Sequence, residues 1–382
     1  MITSERINLM HVVLNLGVGG LEKLVSDIVL HLNRKIFNVE VCCLDSLGYF
    51  SNILNNKEIN VTLIQRNQKH YDTFYPFRLM KLLRKKNIHI LHMHSGTLFL
   101  ATQAGILART PLMVYTDHGR HLFDSPKIIL MDRVSSFFVD KIIAVSKELE
   151  NYLTSVVKIS RNKIVTVVNG INTSLFYPRE KPQNLLEEFK IAGDYKVIGT
   201  VGRLAEVKDH ASLIKAFKIV HARIPKSVLM IVGDGPLKEQ LLEAVAENNL
   251  NNSVIFTGNR NDLPELLSLF DVFVLSSLSE GTSVSLLEAM AAGIPPVVTD
   301  VGGNRSIVDD MVNGIFVKPK DINHMAEAII TLLCDERTHK KFSANALHKV
   351  HTQYRIDKMI DYYTSIYLNL FQGTSPKHLC PS

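Results

Sequence analysis

Apolar residues along this chain fall into short runs that alternate with stretches in which apolar positions recur every three or four residues. The runs are rich in Val, Ile and Leu, as expected for parallel strands covered on both faces. Strand followed by helix, repeated along the chain, predicts parallel sheets joined by right-handed crossovers. The runs lie at 8–16, 39–44, 61–64, 88–92, 112–116, 141–145 and 163–168, and then at 197–201, 227–232, 254–257, 272–275, 296–298 and 314–317.

A break in this pattern divides the chain into two domains. Residues 177–183 read YPREKPQ, and two prolines among charges are typical of an exposed linker. The chain has 382 residues, and single cores stop growing near roughly 250–300 residues. We therefore predict an α/β protein with two Rossmann-like, doubly wound domains at 1–178 and 179–372, followed by a tail at 373–382. The last helical stretch, 355–371, is expected to pack outside the second sheet.

Composition and charge narrow the class of protein. Hydrophobic residues make up 46% and charged residues 21%, which is typical of a folded globular protein. No run approaches the roughly 18 apolar residues of a membrane span, and the N-terminus lacks a signal-peptide pattern, so a cytoplasmic protein is expected. The net charge of +6 permits contact with anionic lipid or phosphate-bearing substrates. Nucleic acid is not an expected partner, because no basic motif interleaved with aromatic residues is present.

The first candidate loop lies at 201–209, VGRLAEVKD, directly after a predicted strand. Doubly wound sheets bind ligands beyond the carboxyl ends of their strands. Gly202 turns the chain there, and Arg203 and Lys208 can clamp a diphosphate, Arg by its planar fork and Lys as a point charge. Taken alone, two such cations would more often be solvated surface charges.

The second candidate loop follows the run at 272–275. Gly281, Thr282 and Ser283 are expected to begin a helix whose free amide hydrogens can hold phosphate or sugar oxygens. Glu280 precedes this helix and Glu288 lies eight residues later, so both carboxylates are expected to project to one side. Carboxylates suit the hydroxyls of sugars, since they accept several hydrogen bonds. A capping residue and a solvated helix face are the simpler alternative for two isolated glutamates.

Two loops in the first half also follow strands. In LNLGVGGLE, at 14–22, Gly19 and Gly20 can let a helix N-terminus approach a phosphate, although Glu22 stands where a dinucleotide fingerprint has its third glycine. A tight turn of purely structural use is equally compatible. In YTDHGRHLF, at 115–123, His118 can donate to a sugar hydroxyl or be an ordinary satisfied polar group.

Taken together, these loops resemble the family 4 glycosyltransferases, a group of retaining enzymes with two Rossmann-like domains facing a cleft, the GT-B architecture. The resemblance spans nearly the whole chain and is strongest at 197–319. The segments behind it are GTVGRLAEVKDHASLIKAF, VGDGP, FTG, DVFVLSSLSEGTSVSLLEAMAAGIPPVVTDVGGN and NGIFVKP. One departure is that Arg305 and Ser306 stand where the family often has a glutamate before an apolar pair, which leaves the role of that loop open.

The resemblance implies a role for each candidate residue. Arg203 and Lys208 would hold the donor diphosphate and stabilise its leaving charge. Glu288 would bind the ribose of the nucleotide, and Glu280 would lie near the donor hexose. The other implied contacts are those of Gly202, of the backbone at Gly281, Thr282, Ser283 and Val284, of Gly19 and Gly20 facing the phosphates, and of His118 beside the hexose.

The reaction that the resemblance implies moves a hexose from a UDP or GDP sugar to a saccharide or lipid-linked acceptor with retention of configuration. The departing phosphate would itself accept the acceptor's proton, and orientation and charge stabilisation would supply most of the catalysis. No metal and no cofactor beyond the nucleotide sugar are expected. Similarity to bacterial enzymes that build exopolysaccharide, capsule or lipopolysaccharide points to surface polysaccharide biosynthesis.

Two segments could touch an anionic membrane. Residues 77–86 interleave basic and apolar positions, and a basic amphipathic helix can rest on a leaflet, although a packed helix with a solvated face is the simpler explanation. Residues 128–139 include Phe137 and Phe138 and are an equal candidate. Rival functions on the same architecture are a sugar phosphorylase, a nucleotide-sugar epimerase and a non-catalytic nucleotide-sugar-binding module. A nicotinamide dehydrogenase is disfavoured by the broken glycine fingerprint.

Overall fold

A computed structural model describes residues 6–65, 72, 74–119 and 124–373. The chain forms two compact units. One unit contains the chain up to Asn169 and again from Asp357 onwards, and the other is Gly170–Ile356. All but the first residue of the predicted tail at 373–382 lies outside the described residues.

The first unit is built on one parallel sheet. Its strands are β1 (Ile7–Val13), β2 (Phe37–Cys43), β3 (Asn60–Leu63), β4 (Ile90–His94), β5 (Leu112–Asp117), β6 (Lys141–Ala144) and β7 (Ile164–Thr166). They are ordered β3-β2-β1-β4-β5-β6-β7. The helices up to Asn169 are α1 (Gly20–His31), α2 (Tyr49–Asn56), α3 (Tyr75–Lys85), α4 (Leu98–Ala108), α5 (Pro126–Ser136) and α6 (Lys147–Ser155).

The second unit has a parallel sheet of its own. Its strands are β8 (Lys196–Val201), β9 (Ser227–Val232), β10 (Val254–Gly258), β11 (Val272–Leu275), β12 (Pro296–Thr299) and β13 (Ile315–Val317), ordered β10-β9-β8-β11-β12-β13. Its helices are α7 (Gln183–Glu188), α8 (His210–Arg223), α9 (Lys238–Glu247), α10 (Leu263–Leu267), α11 (Val284–Ala291), α12 (Asn304–Ile307), α13 (Ile322–Cys334) and α14 (Glu336–Gln353). A last helix, α15 (Ile356–Gly373), leads back into the first unit.

The predicted pair of doubly wound parallel sheets is confirmed, and every predicted apolar run overlaps a strand. In the first sheet the strand order reverses between β1 and β4, and in the second it reverses between β8 and β11. Loops that leave the carboxyl ends of two strands on either side of such a reversal diverge and leave a crevice, which is where doubly wound sheets bind ligands. The fold thus fixes where binding residues are expected in each unit.

The core of each unit consists of strand residues buried on both faces of the sheet. In β1, Met10 and Val12 pack into one apolar cluster with side chains of α3 and α4, while Leu9 is fully buried on the opposite face. Ile198 and Val274 are fully buried in the second unit. Burial on both faces explains why the strands read as continuous apolar runs. Among the described helices, none combines the length and the apolarity needed to cross a membrane.

The prediction that the last helical stretch belongs to the second domain is wrong. In α15, Tyr363 and Tyr367 are fully buried in the first unit. The Tyr367 hydroxyl lies 2.6 Å from Nδ1 of His92 in β4, and its ring lies 5.7 Å from that of Phe37 in β2. These aromatic side chains pack α15 against the first sheet. The sequence does not reveal this packing, because α15 directly follows α14 of the second unit in the chain.

The boundary between the units also lies earlier than the predicted linker. Residues 177–183 belong to the second unit. Nη1 of Arg179 lies 2.9 Å from Glu265 and Nζ of Lys181 lies 2.7 Å from Asp271, so the charges of this segment attach it to that unit. The prediction of a boundary at residue 178 is corrected to Asn169–Gly170.

Candidate functional site

Lys208 and Glu280 meet at the carboxyl edge of the second sheet. Lys208 follows β8 and Glu280 follows β11, the two strands between which the order reverses. Nζ of Lys208 donates to Oε1 of Glu280 at 2.5 Å, and the hydroxyl of Ser277 donates to the same oxygen at 2.6 Å. Only 21% of the Lys208 side chain and 9% of the Glu280 side chain are exposed. The structure thus brings together two of the predicted site residues as a largely buried ion pair.

Backbone contacts fasten the loops that present this pair. The amide of Leu278 donates to the carbonyl of Val207 at 2.8 Å, and the hydroxyl of Ser276 donates to the carbonyl of Lys208 at 2.8 Å. The methylene groups of Lys208 pass Gly202 at ordinary contact distance from where a Cβ would stand there. The lysine therefore follows a defined path along the turn that Gly202 makes.

Two glycines after β12 pack closely against the backbone of the loop that carries Glu280. Gly302 adopts a left-handed backbone, with φ of +45°, and a Cβ there would overlap the carbonyl oxygen of Glu280. A Cβ on Gly303 would overlap the carbonyl oxygen of Gly281, while the Gly303 amide donates to the carbonyl of Glu280 at 3.2 Å. Only glycine permits this approach of backbone to backbone. The paired glycines of VGGN could have revealed this contact in the sequence, although it was not predicted.

Helix α11 begins at Val284, three residues later than predicted. Ser283 caps it, and its hydroxyl accepts from the amide of Leu286 at 3.4 Å. Glu280 therefore lies in the loop before the helix, and its direction is set by Lys208 and Ser277. The sequence argument that helical spacing makes Glu280 and Glu288 project to one side is wrong, because Glu280 is not in the helix. Glu288 lies inside α11 with 2% of its surface exposed. The amides of the first turn of α11 directly follow the fastened loop and favour an anion there.

Arg203 supplies a second positive charge on the same loop as Lys208. It follows Gly202, its side chain is exposed, and it forms no ion pair with any other residue that the structure describes. His210 is buried nearby, and burial together with the charge of Lys208 lowers its pKa to about 4. Because His210 is neutral near pH 7, an anion at this edge would be held by Arg203 and Lys208.

Gly19 and Gly20 lie where β1 leads into α1. Gly19 precedes the helix in extended backbone, and Gly20 is its first residue. Oδ1 of Asn15 accepts from the amide of Gly17 at 2.9 Å and steadies the turn ahead of them. The predicted glycine turn therefore presents the N-terminus of a 12-residue helix at the carboxyl edge of the first sheet. Its contact with phosphate stays a prediction.

His118 directly follows β5 at the same edge of the first sheet. Its amide donates to the hydroxyl of Ser95 at 2.7 Å, and Oδ1 of Asp117 accepts from the amide of Gly119 at 3.1 Å. These bonds fix the backbone at the point where the strand ends. The neighbours Arg120 and His121, noted in the same sequence motif, lie outside the described residues.

A group of buried histidines behind His118 was missed in the sequence. Nε2 of His118 lies 2.9 Å from Nδ1 of His94, and Nε2 of His94 lies 3.0 Å from Nδ1 of His11. His92 lies beside them, and ring nitrogens of His11, His92 and His94 fall within 4.8 Å of one another, close enough for a metal ion among the residues described. Alternate residues of a strand share a face, so the spacing of His92 and His94 could have revealed the group.

Comparison with known proteins covers both units. Residues 182–349 match the family model described as Glycosyl transferases group 1, and residues 18–175 match the model described as Glycosyltransferase Family 4. A relative named UDP-Gal:alpha-D-GlcNAc-diphosphoundecaprenol alpha-1,3-galactosyltransferase, from Escherichia coli, is 29% identical over 96% of this chain and 98% of its own. N-acetyl-alpha-D-glucosaminyl L-malate synthase from Bacillus anthracis is 28% identical over 79% of this chain and 80% of its own.

Solved structures share the architecture. Anabaena Alr3699/HepE, solved in complex with UDP, superposes with a TM-score of 0.82 at 21% identity, covering 96% of this chain and all of that one, 100%. The same protein has been solved in complex with UDP-glucose. At this identity the likeness demonstrates the fold, which matches the two Rossmann-like sheets described above.

Proposed function

The chain belongs to glycosyltransferase family 4 and is a glycosyltransferase, and from this premise we propose that it transfers a hexose from a nucleotide diphosphate sugar to a lipid-linked saccharide with retention of configuration. The observation behind the proposal is the contact of Lys208 with Glu280 at the strand-order reversal of the second sheet. A cation and a carboxylate placed together at that edge suit the diphosphate and the hydroxyls of an activated sugar.

The donor in this proposal is a UDP-hexose and the acceptor is a saccharide on a lipid diphosphate. The Escherichia coli relative carries UDP-Gal and a diphosphoundecaprenol saccharide in its name, and its match spans almost the whole of both chains. Anabaena Alr3699/HepE binds UDP in the same fold. These names support UDP over GDP and a lipid-linked acceptor over a free sugar. The proposal therefore includes a role in surface polysaccharide or lipopolysaccharide biosynthesis at the cytoplasmic side of the membrane.

In the proposed mechanism Lys208 exchanges Glu280 for an oxygen of the diphosphate. Arg203 and the first amides of α11, at Val284, add to the positive field, and the released carboxylate of Glu280 accepts from a hydroxyl of the hexose. Buried Glu288 binds the ribose. A largely buried cation stabilises leaving charge more strongly than one in water, since little solvent screens it.

The bond changes balance without a protein nucleophile. The bond between the anomeric carbon and the phosphate oxygen breaks while the acceptor hydroxyl attacks the same face of the sugar. The hydroxyl proton passes to the departing phosphate oxygen, so the products are the glycoside and UDP. Catalysis then consists of orientation together with stabilisation of the charge that develops on the diphosphate.

A donor panel tests this function. The protein is incubated with UDP-galactose, UDP-glucose, UDP-N-acetylglucosamine or GDP-mannose. Each donor is tested without acceptor, with N-acetylglucosamine on a lipid diphosphate and with L-malate, and the released nucleotide is measured. We expect UDP release that depends on the acceptor, and an α linkage in the product by proton NMR. A β linkage would refute retention. Binding of nucleotide without release under all conditions would identify a non-catalytic module, and release that requires L-malate would refute the lipid-linked acceptor.

We propose that the outer side of α5 and the turn after it rest on the membrane that holds this acceptor. Phe137 is 70% exposed and Phe138 is 51% exposed, and further exposed apolar side chains precede them at Ile128, Leu130 and Val134. Nζ of Lys163 donates to the carbonyls of Ser136, Phe137 and Val139, which ties the turn to the residue directly before β7. A hydrogen-bonded turn with exposed phenylalanines is typical of a surface that enters the interface of a bilayer.

Exposed basic residues lie on α5 and on α3, near this apolar surface. Lys127 and Arg133 are exposed on α5 itself. α4 packs between α5 and α3, and α3 buries Leu79 and Leu83 against the core while its outer side exposes the basic residues Arg78, Lys81, Arg84 and Lys85. An apolar patch with cations beside it matches a leaflet that contains anionic lipid.

Removing the two phenylalanines is expected to weaken membrane binding. For the double variant Phe137→Ser, Phe138→Ser, the partition coefficient onto vesicles of phosphatidylglycerol and phosphatidylcholine should fall by about tenfold or more. Each Phe side chain that is buried in the membrane contributes roughly 1.5–3 kcal/mol to binding. Sedimentation with vesicles measures the partition. Met311→Ser, Val312→Ser is the matched control, because it removes two consecutive exposed apolar side chains from the second unit. Equal losses in both variants, or no binding of the unmodified protein to anionic vesicles, would exclude this surface.

A further inference from the structure

Three histidines of the first unit form a continuous hydrogen-bonded chain, here called the histidine relay: His11, His94 and His118. His11 and His94 are fully buried in β1 and β4, and His118 is partly buried at the end of β5. The two links measure 3.0 Å between His11 and His94 and 2.9 Å between His94 and His118. The relay thus runs from the interior of the sheet to the carboxyl edge at which this fold binds ligands.

All three rings are neutral near pH 7. Burial lowers the pKa of His11 and of His118 to about 3, and burial together with the neighbouring histidines lowers the pKa of His94 well below its usual value. A neutral imidazole has one N–H and one lone pair. Because each link needs one of each, the N–H groups of the three rings must all point in the same direction along the relay.

The two ends of the relay decide this direction. At the inner end Nε2 of His11 is buried, and at the outer end Nδ1 of His118 is buried, and neither nitrogen has a hydrogen-bond partner among the described residues. A buried N–H without a partner is rarer and more costly than a lone pair without one. Either direction leaves an N–H on one of these two nitrogens, and only His118 lies at the carboxyl edge, where a bound ligand can supply an acceptor. The N–H therefore belongs on Nδ1 of His118, and the lone pair belongs on Nε2 of His11.

A metal ion is the other use that these rings could have, and the geometry argues against it. His92 would have to serve as the third ligand, but Nδ1 of His92 lies 2.6 Å from the hydroxyl of Tyr367 and Nε2 lies 2.7 Å from that of Thr116. Both of its nitrogens are thus already engaged.

We propose that His94 and His11 are positioning residues that hold His118 in the tautomer with its proton on Nδ1, so that His118 donates a hydrogen bond to an oxygen of the bound substrate. The assignment of the substrate rests on the proposed function, whereas the tautomer rests on the relay and on the position of His118 at the ligand-binding edge of the first sheet. His94 and His11 never touch the substrate. They act by fixing which nitrogen of His118 carries the proton, as hydrogen-bond partners of functional histidines commonly do.

The tautomer is measured by nitrogen NMR on protein labelled with ring-¹⁵N histidine, with the His118 signals assigned by their loss in His118→Gln. We expect protonated Nδ1 and unprotonated Nε2 at His118 in the unmodified protein. His94→Leu removes the N–H that His94 donates to Nε2 of His118, and His118 should then populate the tautomer protonated on Nε2, which histidine prefers in water. His94→Asn places an amide NH₂ where Nδ1 of His94 stood, and it should restore the original tautomer.

Turnover should follow the tautomer. With the donor and acceptor identified by the panel, His94→Leu is expected to lower kcat/KM by about tenfold to a hundredfold, the effect of losing one hydrogen bond to substrate. His94→Asn should recover most of that loss. The control is Tyr367→Phe, which disturbs the neighbouring His92 and leaves the relay intact, so kcat/KM should stay unchanged. Thermal unfolding of all three variants separates loss of fold from loss of the tautomer.

The possible outcomes are distinct. A proton on Nε2 of His118 in the unmodified protein, or one equivalent of zinc in the purified protein by elemental analysis, would overturn the relay. Equal kcat/KM losses in His94→Leu and His94→Asn would overturn the link from tautomer to turnover. If the predicted tautomer is found while no donor on the panel is turned over, the proposed function fails and the tautomer assignment stands.

Discussion

Replacing Lys208 with methionine is expected to lower turnover by on the order of 10²–10³-fold, the cost of losing one group that stabilises developing charge. Lys208 is the largely buried cation at the strand-order reversal of the second sheet, and its partner there is Glu280. The methionine keeps the length and apolar volume of the side chain. Steady-state kinetics should show a fall in kcat that exceeds the change in KM for the nucleotide sugar, because the charge of Lys208 matters most when the diphosphate departs.

The same substitution leaves the carboxylate of Glu280 without its cation, so stability must be measured separately. Urea unfolding should show a loss of about 1–3 kcal/mol for Lys208→Met. The double variant Lys208→Met, Glu280→Gln should regain that stability without regaining turnover. Lys215→Met is the matched control, since Lys215 is an exposed lysine on α8 with no ion pair among the residues described. Turnover of Lys208→Met within about twofold of the unmodified protein would rule out its role.

Adding one methyl group at Gly303 is expected to disorganise the loop that carries Glu280. A Cβ at this position would overlap the carbonyl oxygen of Gly281, and a backbone atom cannot move aside as a flexible side chain can. Gly303→Ala should therefore lower the free energy of unfolding by about 1–3 kcal/mol, the usual cost of overpacking. Nucleotide affinity should fall by about tenfold or more, because displacing the loop misplaces the amides that precede α11.

Gly193→Ala is the control for this substitution, because a Cβ there meets open space. It should leave nucleotide affinity unchanged and leave stability equal or slightly higher, by up to about 1 kcal/mol. Isothermal titration with UDP and urea unfolding measure the two quantities. Normal UDP affinity in a folded Gly303→Ala protein would show that the contact between the two loops does not organise the site.

The strands could be predicted from the sequence because parallel strands buried on both faces leave an unbroken apolar signature, as in β9 and β11. The loops that carry Lys208 and Glu280 could be placed after their strands for the same reason. Their contact with each other could not be derived from periodicity. It depends on β8 and β11 being neighbours in the sheet, although two strands lie between them in the chain.

The predictions for α15, for the bounds of β4 and for the direction of Glu280 failed because of long-range contacts or a small shift in a strand boundary. Helical periodicity shows which face of α15 is apolar but not which sheet covers it, and Tyr363 and Tyr367 are covered by the first sheet. The strand predicted at 88–92 lies at Ile90–His94. That shift of two residues placed His94 outside the predicted strand and hid the histidine relay. The direction of Glu280 was predicted from helical spacing, although its position is set by its ion pair with Lys208.

The most direct test of the account is a crystal structure of the protein with the nucleotide sugar that the donor panel identifies. The account predicts diphosphate oxygens within about 3 Å of Nζ of Lys208 and of the guanidinium of Arg203, the distance of a charge-assisted hydrogen bond. Glu280 should have released Lys208 and turned to a sugar hydroxyl. A diphosphate bound away from the carboxyl ends of β8 and β11, with Lys208 still paired to Glu280, would contradict it.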